Sequence, residues 1–289
     1  MYLLIGANGQ LATDIRKVFP VEQLIPLTHQ DLEITNREQV RKVLFQYEPK
    51  IVINTAAYHR VDEMEDNPSK ALEVNAFGVL NLAQVCREID AVLVHFSTDY
   101  VFDGEKGSPY FEEDSPKPIN VYGFSKLAGE ILLQRVWKKH FLIRVACLFG
   151  VAGSSGKGGN FVETMLRLAR EKPVVKVVND QTLSPTYTGH LARKVWELVQ
   201  TDRYGLYHVT GSGWCSWYEF ARTIFEITGI WPKEFLPQST VEAGNRAQRP
   251  KFSALAHGHL QALGIDDMPT WRQGLLNYFA EREKVKGKL

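Results

Sequence analysis

The chain has 289 residues, of which 44% are hydrophobic and 23% charged, a composition typical of a globular protein with one large domain or two unequal lobes. Its net charge is +1, with Lys and Arg interspersed among Asp and Glu, which excludes an electrostatic footprint for nucleic acid or for an anionic membrane. We expect a small-molecule partner and, because no apolar run approaches the roughly 18 residues of a membrane span, a cytoplasmic protein.

Cysteine and histidine spacing gives no sign of a disulfide framework or a metal site. Cys86, Cys147 and Cys215 are odd in number and widely spaced, so they predict reduced, structural thiols. His257 and His259 stand two residues apart, but no further ligand follows at zinc spacing. They predict a surface pair.

Short apolar runs alternate with segments of helical period along the first half of the chain. The apolar runs lie at 2–5, 24–28, 51–56, 91–97 and 141–149, and the helical segments at 38–46, 69–87 and 121–136. This alternation is typical of βαβ units, and runs that are apolar throughout predict strands covered on both faces. We therefore predict an α/β fold with a Rossmann-type, doubly wound parallel sheet.

The rhythm changes after Gly150. Residues 153–159 (GSSGKGG) predict a flexible loop, with a helix at 161–170 and a strand at 174–178 beyond it. A smaller C-terminal substrate-binding lobe is expected there. The predicted domains are a dinucleotide-binding domain of residues 1–150, to which about 182–211 return, and a substrate-binding lobe of residues 151–181 and 212–289.

The segment GANGQLA at residues 6–12 follows the first apolar run and opens a helical segment. Its glycines permit a tight turn and a close backbone approach, so that amides at the helix N-terminus can face a pyrophosphate. A plain strand-to-helix turn could have the same sequence, but four further apolar runs behind it favour a dinucleotide site. The candidate cofactor-binding residues in this segment are Gly6, Asn8, Gly9, Gln10 and Leu11.

The second apolar run ends in Thr28-His29-Gln30, before the first acid, Asp31. An acid at this tip would select NAD, and an arginine would favour NADP. Because neither stands there, the choice of cofactor stays open, and we expect both NADH and NADPH to serve.

Tyr122 and Lys126 are spaced i and i+4, so on a helix both side chains can point into one cleft. A phenol with a pKa near 10 is a poor proton donor or acceptor at neutral pH, and a neighbouring lysine cation would lower that pKa. Tyr122 would then serve as the proton donor to a carbonyl oxygen. An isolated pair of this kind is more often only a partly exposed Tyr and Lys.

The fourth apolar run ends in Ser97-Thr98-Asp99-Tyr100. Ligands of open α/β sheets bind beyond the carboxyl ends of the strands, so Thr98 could hydrogen-bond the same carbonyl as Tyr122. A lone Ser-Thr-Asp could equally be a turn cap. The three elements together, in this order, favour a catalytic site.

Six blocks of the chain resemble the dTDP-4-dehydrorhamnose reductase family of the extended short-chain dehydrogenase/reductase superfamily. They are NTAAYHRVDEME (54–65), VNAFGVLNLA (74–83), STDYVFDGE (97–105), PYFEEDSPKPINVYGFSKLAGE (109–130), NFVETMLRLA (160–169) and GLYHVTGSGWCSWYEFA (205–221). The resemblance implies NAD(P)H-dependent reduction of the C4 ketone of dTDP-4-dehydro-L-rhamnose to dTDP-L-rhamnose.

The resemblance also implies residue roles. Thr98, Tyr122 and Lys126 match the catalytic residues; Gly9, Gln10 and Leu11 the pyrophosphate loop; Asp31 and Leu32 the pair near the adenine; and Ala56, Ala57 and Tyr58 the cofactor-lining segment. Asp99 matches a substrate-contacting acid. Further candidates are Asn75 for the cofactor side of the site and Tyr100, Asn160 and Arg249 for the nucleotide sugar, although Asn75 could be a generic buried amide and Arg249 an ordinary loop arginine.

The chain departs from the family pattern at two positions, Cys147 and His29, and matches it at a third, Asp14. Cys147 stands where relatives usually have a substrate-contacting Trp. This difference leaves the identity of the sugar open and predicts extra room beside the bound sugar. His29 stands where relatives often have Arg. Asp14 matches an acid linked to Mg2+ at the dimer contact of some relatives, which suggests a homodimer, but a solvated acid on a helix face is the interpretation we favour.

Two other functions stay open. A nucleotide-sugar 4-epimerase or dehydratase of the extended class shares the fold and the Tyr/Lys pair, although a dehydratase has an Asp-Glu pair after its Thr, where this chain has Asp99-Tyr100. A non-catalytic regulatory subunit of methionine adenosyltransferase also resembles the family. Retention of the full catalytic set disfavours that role.

Overall fold

The computed structural model describes residues 1–153 and 159–287. The strands of the described residues are β1 (Tyr2–Ile5), β2 (Leu24–Leu27), β3 (Ile51–Asn54), β4 (Val92–Thr98), β5 (His140–Val145), β6 (Leu148–Phe149), β7 (Val174–Val178), β8 (Thr182–Leu183), β9 (Thr186–Tyr187), β10 (Gly205–His208), β11 (Cys215–Ser216) and β12 (Glu234–Gln238). Most of the loop predicted at 153–159 lies outside the described residues.

The helices are α1 (Gln10–Val18), α2 (Arg37–Tyr47), α3 (Val61–Met64), α4 (Pro68–Leu72), α5 (Gly78–Glu88), α6 (Val121–Val136), α7 (Phe161–Glu171), α8 (Thr188–Leu198), α9 (Trp217–Thr228), α10 (Thr240–Ala243), α11 (Gly258–Ala262) and α12 (Trp271–Lys286). A π-helical turn, Glu73–Phe77, joins α4 to α5.

Six strands form one parallel sheet in the order β2-β1-β3-β4-β5-β10. Helices cover both faces: one apolar core contains side chains of α2, α5 and α6, and the other contains side chains of α1 and α8. The strands are apolar throughout because both faces are covered. The predicted α/β, doubly wound parallel sheet is confirmed.

The last strand of the sheet comes from far along the chain. After α7 and β7, the chain returns through α8 and places β10 beside β5. A third apolar core lies outside the sheet and is built from α7, β7, α9 and α12. The domain boundaries given above stay a prediction.

Two predicted elements are interrupted in the structure. The helix expected at 69–87 is divided by the π-helical turn, which offsets the helical face by one residue. The strand expected at 141–149 is divided at Cys147, whose φ of 40° is left-handed and bends the chain into β6. Both interruptions lie beside the site described below.

Gly129 sets the distance between α6 and the π-helical turn. A Cβ atom at this position would stand 2.2 Å from Asn75 O, which is backbone and cannot move aside. Only glycine therefore allows the two segments to approach this closely.

We predict that Gly129→Ala lowers the free energy of unfolding by about 1–3 kcal/mol, the usual scale of overpacking, although alanine ordinarily favours a helix over glycine. Urea unfolding followed by circular dichroism measures the change. Gly274→Ala in α12 is the control, because its nearest contact would be a side-chain atom at 3.1 Å. Equal stability of the Gly129 variant and wild type would contradict the assigned contact.

Candidate active site

A cavity of about 470 Å³ opens where β1, β3 and β4 end and α1 and α6 begin. This is the edge at which parallel α/β sheets bind ligands. The predicted site residues that line the cavity are Gly9, Gln10, Leu11, Ala56, Ala57, Thr98, Asp99, Tyr100, Tyr122, Lys126 and Asn160. The predicted residues outside its lining are Gly6, Asn8, Asp31, Leu32, Tyr58, Asn75 and Arg249.

The glycine-rich turn after β1 depends on Gly6. Its φ is +79°, and a Cβ atom would stand 2.8 Å from Thr55 Oγ1 and 2.9 Å from Ala56 N. Gly9 caps α1 with an ordinary extended φ of −76°. The turn thereby brings the N-terminus of α1 to the cavity edge, a position suited to a pyrophosphate.

Two buried polar atoms beside the cavity, Gln10 Oε1 and Ser97 Oγ, have no hydrogen-bond partner among the described residues. Gln10 uses its amide nitrogen instead, donating to Leu148 O at 3.2 Å. Buried polar groups in proteins are almost always paired, so these two atoms fit a site that takes a polar ligand. The glycine turn and these atoms together suit a dinucleotide.

The tip of β2 carries no arginine. The carboxylate of Asp31 accepts hydrogen bonds from Thr28 N at 2.8 Å and Thr28 Oγ1 at 2.7 Å, which lower its pKa. His29 is 82% exposed and lies 3.0 Å from a Glu33 oxygen. Leu32 is buried in the core. At the tip of β2, where an acid or an arginine would recognise the ribose, the structure thus has a turn closed by the Asp31–Thr28 hydrogen bonds.

Asn75 joins the segment after β3 to the helix that carries Tyr122. Its Oδ1 accepts from Tyr58 N at 2.9 Å, and its Nδ2 donates to Tyr58 O at 2.8 Å and to Ser125 Oγ at 3.0 Å. Ser125 Oγ in turn donates to Tyr122 O at 2.8 Å. The π-helical turn places Asn75 for these contacts, and π-bulges are frequent at functional sites.

Tyr122, Thr98 and Asp99 line the cavity together at the end of β4. The Thr98 hydroxyl donates to Asp99 Oδ1 at 3.0 Å. The other carboxylate oxygen accepts from Ser253 Oγ at 2.6 Å. Burial raises the pKa of Asp99 to about 6, against the effect of these donors. Asp99 therefore orients Thr98, with both of its oxygens engaged.

The expected effect of Lys126 on Tyr122 is wrong for this structure. Burial raises the pKa of Tyr122 to about 12; the neighbouring Thr98 hydroxyl acts to lower the pKa, and the charge of Asp99 raises it further. Lys126 Nζ lies instead against β4 and donates to Phe96 O at 2.6 Å. Sequence spacing placed both residues on one face, but could not show that a strand carbonyl binds the lysine.

Arg249 lies near the cavity without lining it. Its guanidinium pairs with Asp62 Oδ2 at 2.8 Å, donates to Ala247 O at 3.2 Å and lies 5.9 Å from the centre of the Tyr100 ring. Its side chain is 11% exposed. The Asn160 side chain caps the N-terminus of α7 and donates to Gly150 O at 2.8 Å, so it fixes the start of α7 to the segment after β6.

Sequence reasoning missed several cavity residues from the second half of the chain. Phe161 and Trp217 pack with ring centroids 4.5 Å apart and line the cavity together with Gln181. Trp217 stands in one of the six resembling blocks, but nothing in its local pattern separates it from a core aromatic. Ser253, which binds Asp99, carried no signal at all. Cys147 also lines the cavity.

The expectation of a solvated acid at Asp14 is wrong. Asp14 is 3% exposed, because α1 packs against α8 there. Its carboxylate accepts from Lys17 Nζ at 2.6 Å and from the Thr188 hydroxyl. This arrangement disfavours Mg2+ at that carboxylate. No group of three or more His, Cys, Asp or Glu residues that could hold a metal ion occurs within 1–153 and 159–287.

The expected surface pair of histidines is half wrong. His257 is buried, with Nδ1 3.0 Å from Asp266 Oδ1 and Nε2 2.8 Å from Thr210 Oγ1. His259 is 41% exposed and lies 2.7 Å from Glu113.

Cys86, Cys147 and Cys215 are unbridged thiols. Among the described residues, we find no helix with the length and apolar character needed to cross a membrane.

Comparison with known proteins identifies close relatives along the whole chain. The family model described as the RmlD substrate binding domain matches residues 1–284. The spore coat polysaccharide biosynthesis protein SpsK of Bacillus subtilis is 40% identical over 285 residues, 98% of this chain and 98% of that protein. The dTDP-4-dehydrorhamnose reductase of Aggregatibacter actinomycetemcomitans is 36% identical over 296 residues, 97% of this chain and 99% of that protein.

A solved structure agrees with the fold and with these relatives. The crystal structure of dTDP-4-dehydrorhamnose reductase from Bacillus anthracis, in complex with NADP, matches with a TM-score of 0.92 and 40% sequence identity. The match covers 97% of this chain and 98% of that one.

Proposed function

The chain belongs to the dTDP-4-dehydrorhamnose reductase family, and we propose that it reduces the C4 ketone of dTDP-4-dehydro-L-rhamnose to dTDP-L-rhamnose with NADPH or NADH. The observation that carries the proposal is the placement of Thr98, Tyr122 and Lys126 together in the wall of one cavity at the carboxyl edge of the sheet. The relative SpsK acts in spore coat polysaccharide biosynthesis, so we place the product in the supply of a sugar donor for cell-surface polysaccharide.

The reduction adds a hydride to C4 and a proton to the ketone oxygen. The hydride is supplied by the bound nicotinamide cofactor. Burial keeps Tyr122 protonated at neutral pH, and the alkoxide formed by hydride addition is a stronger base than a phenolate, so the phenol can still donate the proton. The Thr98 hydroxyl donates to Asp99 Oδ1 in the structure and can turn to give its single proton to the same ketone oxygen, which holds the ketone beside the phenol. Asp99 positions the Thr98 side chain for this contact.

We assign the cofactor to the side of the cavity formed by the glycine turn and the segment after β3. Residues 6–11 would hold the pyrophosphate, Asp31 and Leu32 would lie near the adenine, and Ala56, Ala57, Tyr58 and Asn75 would flank the nicotinamide side. Two observations support this: Gly6 has no space for a Cβ, and Gln10 Oε1 and Ser97 Oγ have no hydrogen-bond partner within residues 1–153 and 159–287. The epimerase, dehydratase and regulatory-subunit alternatives are not favoured by the relatives.

The sugar nucleotide would occupy the remaining part of the cavity. Thr98, Asp99 and Tyr100 would border the sugar, while Asn160 and Arg249 belong to the segments near the nucleotide. Cys147 is smaller than the Trp expected from the family, so this chain would leave more room beside the sugar. Phe161 and Trp217, whose rings pack together in the cavity wall, support a site for the nucleotide base because they offer it aromatic surface.

A cytoplasmic location and a homodimer also stay predictions. Phe124 and Ile131, seven residues apart on α6, are 56% and 57% exposed and form a surface that a second copy could cover. Size-exclusion chromatography with light scattering would measure the oligomeric state.

Tyr122→Phe is expected to lower kcat by at least about 10²-fold, because the ketone loses its proton donor. Binding of NADPH, measured by fluorescence titration, should be nearly unchanged. Tyr110→Phe is the matched control, since Tyr110 lies in a separate cluster away from the cavity. Near wild-type turnover of the Tyr122 variant would remove Tyr122 from the mechanism.

The enzyme should use NADH and NADPH with a preference below about 100-fold, the range of one or two charge-assisted hydrogen bonds. The reason is that the tip of β2 presents an exposed His29, with no arginine there, and an Asp31 already bonded to Thr28. Initial rates at varied cofactor concentration measure kcat/KM for each. A preference of a thousandfold would reveal a recognition residue elsewhere.

Arg249→Ala should raise KM for the sugar nucleotide by about tenfold or more, the effect of one charged hydrogen bond to the diphosphate, with little change in KM for NADPH. Arg246→Ala is the matched control, because Arg246 also pairs with an aspartate of the same segment, Asp66, but is 63% exposed. Titration calorimetry with dTDP and UDP gives the affinities directly. Equal affinities of wild type and the Arg249 variant would exclude this contact.

A further inference from the structure

Three buried polar side chains form a row beside the cavity: Asn54 at the end of β3, His95 within β4 and Lys126 on α6. Their exposed fractions are 1%, 1% and 2%. Asn54 Nδ2 lies 3.2 Å from His95 Nδ1, and His95 Nε2 lies 3.3 Å from Lys126 Nζ. Buried polar atoms need hydrogen-bond partners within the protein. The contacts of the two end residues, Asn54 and Lys126, therefore decide which nitrogen of His95 carries the proton.

The backbone fixes the orientation of the Asn54 amide. Ala56 N donates to Asn54 Oδ1 at 3.1 Å, and a backbone N–H can meet only an acceptor, so this end of the amide is the oxygen. The NH2 end therefore faces His95 Nδ1. Since an amide NH2 only donates, Nδ1 must accept, and the single proton of the neutral imidazole lies on Nε2.

The Nε2–H group of His95 is thereby directed at Lys126. A lysine ammonium has three donors and no acceptor, whereas the neutral amine has a lone pair. Lys126 Nζ also donates to Phe96 O at 2.6 Å. The row is therefore fully paired when Lys126 is an amine that accepts from His95. If Lys126 is an ammonium, its N–H faces the Nε2–H of His95, so that two donors meet. Moving the ring proton to Nδ1 would instead place it against the NH2 group of Asn54, which is also a donor.

We propose that Asn54 and His95 are positioning residues that present a hydrogen-bond donor to Lys126 and so destabilise its ammonium form. The inference rests on the proposed function only in that Lys126 is a member of the catalytic set. A less stable ammonium releases its proton more readily near neutral pH than an ordinary lysine. Lys126 is then a stronger acid than an ordinary lysine, in the wall of the cavity that Tyr122 also lines.

The charges around the row agree with this assignment. Burial lowers the pKa of Lys126 to about 8, while Glu130, on the next turn of α6, raises it. Glu130 is itself neutralised by Arg144 of β5, whose guanidinium lies 2.7 Å from Glu130 Oε2. The pKa of His95 is held well below its ordinary value by burial, by Lys126 and by His140 of β5, so the ring is neutral.

NMR of the cofactor-free enzyme tests the proposal directly. With 13C-labelled lysine, the Cε shift of Lys126, assigned by its loss in Lys126→Met, should titrate well below the ordinary lysine pKa of about 10.4. Long-range 1H–15N spectra should show His95 protonated on Nε2. A Lys126 titration in the ordinary range, or a ring proton on Nδ1, would overturn the proposal.

His95→Gln supplies the comparison. A glutamine amide reaches the position of Nε2 and can turn its oxygen toward Lys126, so the ammonium gains an acceptor and the titration midpoint should rise by at least about one pH unit. The matched control is His190→Gln, because His190 Nε2 lies 2.8 Å from Asn277 Nδ2 in a similar pair away from the cavity. It should leave the Lys126 midpoint in place.

The outcomes separate this proposal from the proposed function. An unchanged midpoint in His95→Gln would show that burial alone sets the titration and would overturn the role of His95. Because these spectra require neither cofactor nor substrate, a shifted midpoint would stand even if the enzyme failed to reduce the keto-sugar. Should His95→Gln fail to fold, the tautomer and titration of the wild-type enzyme decide the matter.

Discussion

Helix α6 lies so close to the π-helical turn at 73–77 that a methyl group at Gly129 would stand 2.2 Å from Asn75 O. This contact brings Ser125 within reach of the Asn75 amide, which also holds the segment after β3 through Tyr58. The same helix places Tyr122 against Thr98 at the end of β4. The packing of one helix thus connects the segment after β3 to Tyr122, the proposed proton donor.

Burial then acts in opposite directions on the two titratable groups of α6. It raises the pKa of Tyr122 to about 12, which preserves a phenol that can give up a proton, and it lowers the pKa of Lys126 to about 8. Both shifts follow from the same cause, the cost of a charge away from water. Groups driven apart in this way are typical of acid and base pairs in active sites.

Sequence patterns were sufficient where the deciding contacts are local. Apolar runs predicted the parallel sheet, and the glycines at 6 and 9 predicted the turn before α1. Spacing also placed Tyr122 and Lys126 on one helix, and both line the cavity. The part of the cavity wall from the second half of the chain was harder to predict, because Trp217 and Ser253 reach the cavity from distant segments and carry no local motif.

Contacts between distant segments account for the errors. Asp14 is buried by Thr188, which is 174 residues further along the chain, and His257 by Thr210, 47 residues before it. The partners of Lys126 are a strand carbonyl and a histidine about 30 residues away. Periodicity reports which face of a helix is apolar, but not which polar group of another element meets a given side chain.

Transfer of a labelled hydride tests the central claim most directly. The purified enzyme would be incubated with dTDP-4-dehydro-L-rhamnose and NADPH that carries deuterium at C4 of the nicotinamide, and the product examined by mass spectrometry and NMR. The account predicts dTDP-L-rhamnose with deuterium at the sugar C4. Absence of this product with both NADPH and NADH, or a product without deuterium at C4, would contradict it.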